Sequence, residues 1–266
     1  MFRRMAKRSY NQYCAVARAL DVVGDRWTLL LVREMLGGAS GFNELQRGLP
    51  GISRSVLADR LRSLERAEII ERRTGPKGRT LDYRLTLAGR DLEAVVQAIG
   101  EWGVTWAFTD PRPEELDPDL LIVWMARHVD REQLPPTRTV VQFDFRDPAK
   151  RYWMVLEPSE VSVCLQHPGF EVDLAATVDT ATLYRVYLGR AELAGALRSR
   201  RLAMSGPMAL QRGFGRWFAW SAFAPASRRA DERRRAASRL AGPQRVRVEQ
   251  PLPTHPRSRA RARAAL

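Results

Sequence analysis

The 266-residue chain is poor in cysteine and histidine, with two of the first and three of the second. Cys14 and Cys164 are too few for the disulfide framework of a small secreted scaffold, so a reducing compartment is expected. His128, His167 and His255 stand in separate segments, none in an HxxxH or CxxC spacing, and no metal site is predicted. No run approaches the roughly 20 consecutive apolar residues that a membrane span needs. The longest, Leu120 to Ala126 and Trp217 to Ala226, are short or interrupted. The basic start, with Arg3, Arg4, Lys7 and Arg8, lacks the following apolar core of a signal peptide, so a cytoplasmic protein is expected. No serine sits in a nucleophile elbow, and Gly213-Phe214-Gly215 lacks the strand, third glycine and helix start of a dinucleotide loop. The chain therefore reads as a non-enzyme with no catalytic residue and no cofactor.

What is present is a globular mix, 45% hydrophobic and 28% charged, carrying a net charge of +14. Such a charge favours a polyanion or an anionic surface as partner. Only three of the cations are lysines and 41 are arginines, a bias that genome composition produces as readily as phosphate binding. The distribution is more telling. Residues 1–110 carry net +5, residues 111–225 net 0, and residues 226–266 net +9. The last segment has twelve arginines, four prolines and no aromatic residue, which predicts a disordered Arg-rich tail. It reads either as a solvated appendage or as a nonspecific phosphate-binding arm. Between residues 111 and 118, three prolines and three acids interrupt helix and strand and mark a linker. Three parts follow: 1–110, 111–225 and 226–266.

In the first part, apolar residues recur at helical spacing from Ala15 to Val23 and from Trp27 to Leu36, broken at Gly24-Asp25. Ser40 is the expected N-cap of a short helix that the turn Gly48-Leu49-Pro50-Gly51 ends. Ser53 caps a helix to about Arg66 in which Leu57, Leu61 and Leu64 face the core. Its other face carries Ser55, Asp59, Arg62 and Arg66, with Arg54 at the exposed start. This is the layout of a DNA-recognition helix, and equally that of an amphipathic helix with a solvated charged face. The next elements favour the first. A strand at Ile69 to Arg73, a turn at Gly75 to Gly78 and a strand at Leu81 to Leu85 make a basic hairpin, with Lys77 and Arg79 at its tip. Helix, turn, helix and basic hairpin define a winged helix for double-stranded DNA. Thr86 then caps a helix from about Leu87 to Phe108, whose stripe of Leu92, Val95, Val96, Ile99, Trp102 and Trp106 is a candidate homodimer surface.

The ordered run Cys14, Gly24-Asp25-Arg26-Trp27-Thr28, Phe42-Asn43-Glu44-Leu45, Pro50-Gly51-Ile52-Ser53, Leu57, Arg60-Leu61, Leu64, Tyr83-Arg84-Leu85-Thr86, Gly89 and Trp102 resembles the HxlR-type winged helix-turn-helix regulators over about residues 10–108. The resemblance implies a homodimeric bacterial transcription factor, with its recognition helix at Ser53 to Arg66 and its wing at Arg72 to Arg84. It also implies that Cys14 is a redox or electrophile sensor, as the matching cysteine is in some members. The alternative for Cys14 is a small buried residue at a helix-packing seam.

In the second part, short strands are expected at 139–145, 152–157, 161–166 and 171–175, and helices at 180–188 and 191–201. An aromatic segment, Phe214 to Phe223, follows them. The strand block, Thr182-Leu183-Tyr184 through Leu188-Gly189-Arg190, Leu193, Leu197-Arg198, Leu202, Gly206 and the closing Phe214, Trp217 and Phe218 resemble the sterol-carrier-protein fold over about residues 115–224. That resemblance implies an apolar cavity for a lipid or another hydrophobic small molecule. Phe214, Trp217 and Phe218 either line it or form an ordinary aromatic core.

The expected fold class is α+β: an N-terminal winged helix-turn-helix domain, an α+β sterol-carrier-like domain and a disordered basic tail. The expected function is DNA-binding transcriptional regulation as a homodimer, modulated by a hydrophobic ligand. Ser53, Arg54, Ser55, Asp59 and Arg62 meet base edges or phosphates, and Lys77 and Arg79 act through the wing. The alternative is a lipid carrier that uses its winged helix to dimerise.

Overall fold

Apolar spacing up to Leu85 becomes four helices and a hairpin in the computed structural model, which describes residues 9–75 and 80–241. Helices α1 (Ala15–Val23), α2 (Thr28–Leu36), α3 (Phe42–Arg47) and α4 (Arg54–Arg66) precede strands β1 (Ile70–Thr74) and β2 (Thr80–Leu85). Leu31, Val32, Leu45, Leu49, Leu57, Leu61, Leu64 and Ile70 fill one core between them. β1 and β2 are antiparallel from Ile70 opposite Leu85 to Thr74 opposite Thr80. The backbone N–H of Tyr83 donates to the Ser40 carbonyl at 2.9 Å, which ties the hairpin to the start of α3.

Two details differ from the sequence expectation. Gly41, not Ser40, is the N-cap of α3, because the Glu44 carboxylate reaches back and accepts from both N–H groups at 3.1 Å. The helix expected at 87–108 is divided into α5 (Leu87–Asp91) and α6 (Glu93–Trp102), followed by a wider π-type turn over Gly103–Ala107. At the division the Leu92 N–H bonds three residues back, to the Gly89 carbonyl at 3.3 Å. Gly89 is required there: a Cβ would lie 2.2 Å from the Ile69 carbonyl oxygen.

The second unit begins with α7 (Pro118–Arg127), where Pro118 follows the N-cap Asp117, whose carboxylate accepts from the N–H groups of Asp119 and Leu120. Strands β3 (Thr139–Arg146), β4 (Ala149–Leu156), β5 (Val161–Cys164), β6 (Leu174–Val178) and β7 (Leu202–Ser205) form one sheet in the order β5-β4-β3-β6-β7. Only β3 and β6 run parallel among these neighbours. Helices α8 (Thr180–Tyr187), α9 (Leu193–Arg198) and α10 (Met208–Gly213) complete the layer. Val141, Phe143 and Phe145 alternate along β3 and enter the main core with Met154, Leu174, Ala176 and Leu183. The fourth strand thus lies three residues beyond its expected 171–175. β7 was not expected at all, since Leu202-Ala203-Met204-Ser205 has no β-branched or aromatic residue.

Disorder was expected from residue 226, yet a last helix, α11 (Ala224–Ala241), continues well past that point. It buries Ala226, Ser227 and Ala230, small residues whose contribution composition alone does not reveal. Residues 242–266 lie outside the described residues.

α11 returns to the first unit, and Arg234 Nη2 donates to the Val104 carbonyl at 3.1 Å in the π-type turn. Phe223 lies so close to α6 that a Cβ on Gly100 would come within 2.2 Å of its ring. A third link is ionic: Glu34 on α2 accepts from Arg127 of α7 at 2.6 Å. No helix among the described residues is long and apolar enough to cross a membrane.

Candidate nucleic-acid interface

α4 is built as a two-faced helix. Ser53 adopts extended backbone geometry at its N-cap, and its Oγ accepts from the Val56 N–H at 3.3 Å. Leu57, Leu61 and Leu64 are buried, each 2% exposed or less, which leaves the rotation of the helix no freedom. The same rotation presents Ser53, Arg54, Ser55, Asp59 and Arg62 to solvent together.

These side chains are held rather than loose. Arg54 lies over the Phe42 ring at 4.9 Å and donates to Asn43 at 3.3 Å and Gln46 at 3.0 Å, all on α3. Ser53 and Ser55 share a hydrogen bond of 3.1 Å. Arg62 pairs with Asp59 one turn back, so its charge is balanced within the helix. Arg62 can therefore reach a base or a phosphate only by exchanging or sharing that partner.

Behind α4, Arg60 is paired with Asp25, which anchors the helix to the break between α1 and α2. Sequence reasoning noted both residues without assigning the contact. The only signal was a basic residue on the flank of α4 and an acid in a turn, 35 positions apart. Trp27, next to that turn and at the N-cap of α2, has a left-handed backbone with φ of 78°.

In the hairpin, Arg72, Arg73 and Arg84 are exposed, and Asp82 binds Arg73 and Arg84 together. Lys77 and Arg79, the expected wing-tip cations, lie outside the described residues.

Cys14 occupies the N-cap of α1 and is exposed, not buried at a helix seam. The backbone N–H groups of Ala17 and Val16 hold its thiol pKa below the ordinary value. Alkylation of Cys14 in a Cys164→Ser background is accordingly expected to reach half its plateau rate below the usual pH of about 8.5. At any given pH near its titration the Cys14 thiolate fraction should exceed that of an ordinary thiol. A midpoint at or above the ordinary thiol value would contradict this.

Phe214, Trp217 and Phe218 lie in the main core of the second unit, each 3% exposed or less. Phe214 meets Trp217 at 6.1 Å and Phe218 at 5.2 Å between ring centroids, edge to face. Among the described residues no group of three His, Cys, Asp or Glu side chains comes together as a metal cluster.

The sequence profile of the HxlR-like helix-turn-helix family matches residues 22–110, and that of the SCP-2 sterol transfer family matches residues 125–218. An uncharacterized HTH-type transcriptional regulator of Mycobacterium tuberculosis is 43% identical over 103 residues, which cover 38% of this chain and 61% of that protein. The chain thus spans about three fifths of that relative's length. The HTH-type transcriptional regulator YodB of Bacillus subtilis is 36% identical over 85 residues, covering 32% of this chain and 76% of that protein. Among solved structures, the redox regulator HypR in its reduced form has 36% sequence identity and a TM-score of 0.32, covering 34% of this chain and 90% of that one.

Proposed function

Because the chain belongs to the HxlR-like helix-turn-helix family, we propose that it is a transcriptional regulator that binds double-stranded DNA as a homodimer. In this proposal residues 1–110 contact DNA and dimerise, while residues 111–225 receive a hydrophobic ligand. The observation that carries it is the exposed row Ser53, Arg54, Ser55, Asp59 and Arg62 on a helix whose opposite side is locked by three leucines. A recognition helix meets base edges through its N-terminal residues, and here the first of them, Arg54, is already oriented by α3.

Homodimerisation is supported by apolar side chains left exposed on one protomer. Tyr10, Tyr13, Val16 and Leu20 accompany α1, and Val95, Ile99, Trp102 and Trp106 accompany α6 and the turn after it. A second copy with the same patch is the partner a two-fold assembly requires. Two recognition helices would then read half-sites about 34–36 Å apart, or a multiple of this. Lys77 and Arg79 would add phosphate contacts through the wing, and Cys14 would sense oxidants or electrophiles through its thiolate. The regulator names of the relatives favour this function over the lipid carrier.

The test is a titration of full-length protein against labelled random duplexes, with excess unlabelled duplex of unrelated sequence. A fraction that resists competition is the expected result. Loss of all binding to the competitor would overturn the proposal. Arg62→Ala is expected to cost about 1–3 kcal/mol of affinity for the resistant duplexes if Arg62 makes a bidentate base contact. Unchanged affinity removes Arg62 from the reading surface.

A further inference from the structure

A cavity of about 680 Å³ lies between the two units, reached from α2 and α6 on one side and from α7, α8 and Phe223 on the other. Small-molecule sites commonly have volumes of about 300–1,000 Å³. Leu36, Val96, Val104, Phe108, Leu120 and Leu188 give it apolar walls. Trp124 is already engaged by Arg33 at 5.3 Å and by Tyr187 at 6.2 Å, so this ring is not free to stack on a flat ligand. The cavity suits an apolar body more than an aromatic plane.

Its polar end is unusual. Glu34 is 2% exposed, and its carboxylate holds Arg33 at 2.7 Å and Arg127 at 2.6 Å. One carboxylate between two guanidinium groups leaves a surplus of positive charge in a partly buried site, which Glu44, held by the Ser40 and Gly41 N–H groups and facing Arg47 as well as Arg127, offsets only in part. The other acids on the wall do not cancel it. Glu115 is bound to Arg112 at 2.7 Å, and Glu93 is exposed, where water screens it.

We propose that this seam cavity binds a small amphiphile with an apolar body and a single carboxylate, which shares Arg33 and Arg127 with Glu34. Arg33 gives Nε and Nη2 to Glu34 at 3.1 and 2.7 Å, whereas Arg127 donates to it from Nη1 alone, so the planar Arg127 guanidinium has further donors to offer a ligand carboxylate.

The same carboxylate of Glu34 reaches the DNA-facing side. It is seated against Gly48, where a Cβ would lie 1.9 Å from Glu34 Oε2, and Arg33 approaches the Gly48 carbonyl at 3.4 Å. Gly48 closes α3 and opens the turn that leads to Ser53 and α4. A ligand carboxylate that shares these arginines weakens their hold on Glu34 and so loosens the segment that sets α4. The effect on DNA rests on the reading of α4 as the recognition helix, whereas binding in the cavity does not.

The experiment is calorimetric titration of the full-length protein with decanoate and with decanol, which differ in the charged head. Decanoate is expected to bind once per protomer, and decanol about 10- to 100-fold more weakly. Ala222→Trp adds an indole at an exposed part of the cavity wall and is expected to weaken decanoate at least tenfold. If that variant does not fold, Val96→Phe fills the cavity from α6 with the same expected result. Arg127→Gln is expected to abolish the preference for decanoate over decanol. No decanoate binding, equal binding of decanol, or decanoate binding unaffected by the cavity-filling variant would each overturn the site. Amide hydrogen exchange over residues 48–53 is expected to rise when decanoate binds. Unchanged exchange with decanoate bound would overturn the coupling without reference to DNA.

Discussion

Leu61→Ala is expected to lower the stability of the first unit by about 2–5 kcal/mol and, with it, to abolish the proposed specific DNA binding, although Leu61 is buried away from the surface. The side chain is 1% exposed and packs from the middle of α4 into a core shared with α2, α3 and the hairpin. Removing it deletes buried methyl groups and leaves a cavity that rigid neighbours on three elements cannot fill. Whole domains are stable by only about 5–15 kcal/mol, so this loss is a large fraction of the total. The neighbouring Arg62→Ala provides the internal contrast. Arg62 is exposed and paired only with Asp59, so its stability change should stay within about 0.5 kcal/mol. Urea unfolding of both variants, followed by intrinsic fluorescence, checks the pair. A stable Leu61→Ala protein, or an unstable Arg62→Ala protein, would mean that α4 is rotated from the orientation described.

The second large effect is expected for Glu34→Ala. This change leaves Arg33 and Arg127 facing each other without their shared carboxylate. Breaking a buried ion pair by removing one partner commonly costs about 3–5 kcal/mol. Arg33 and Arg127 keep 33% and 20% of their side-chain surface in contact with solvent, which offsets part of that cost. A loss of about 2–3 kcal/mol is therefore expected. The double variant Glu34→Ala with Arg127→Ala should recover at least about 1 kcal/mol of it, since the two residues are in direct contact. Thermal melts of the two single variants and the double variant close the cycle. Strict additivity would show that the two units are not linked through Glu34.

Much of the first unit was legible because its elements announce themselves locally. The leucine spacing of α4, the cap at Ser53, the Gly48-Leu49-Pro50-Gly51 turn and the hairpin all depend on residues close in sequence. The exposed row on α4 follows from the same periodicity, so Ser53, Arg54, Ser55, Asp59 and Arg62 share one face, while Lys77 and Arg79 lie outside the described residues. The failures arise where a distant partner decides the outcome. Ser40 lost its capping place to the reach of Glu44. β7 forms because β6 offers an edge to pair with, and nothing in Leu202 to Ser205 predicts a strand. α11 is helical where charge and proline content suggested a tail, since Arg234 bonds to the first unit, Asp231 pairs with Arg190 of the second, and Ala226, Ser227 and Ala230 are buried.

The seam was the least legible part. Glu34 and Arg127 are 93 residues apart, and each reads in isolation as an ordinary charge on a helix. Phe223 could be recognised as one of an aromatic cluster, but only its approach to Gly100 shows that it faces the first unit. The rings Phe214, Trp217 and Phe218 were candidates for a cavity wall, and their packing against Phe143 and one another makes them core. Composition cannot separate these roles, because a wall and a core use the same side chains.

The proposed reading of DNA sequence by α4 in a two-fold assembly is tested most directly by selecting bound duplexes from a random pool. Full-length wild-type protein and Arg62→Ala should be compared under salt that suppresses nonspecific phosphate binding. A two-fold symmetric motif is predicted for the wild type, with the same motif degraded at one position per half-site in the variant. An absence of any enriched motif for the folded wild type would contradict it, and an identical motif for both proteins would remove Arg62 from the reading surface.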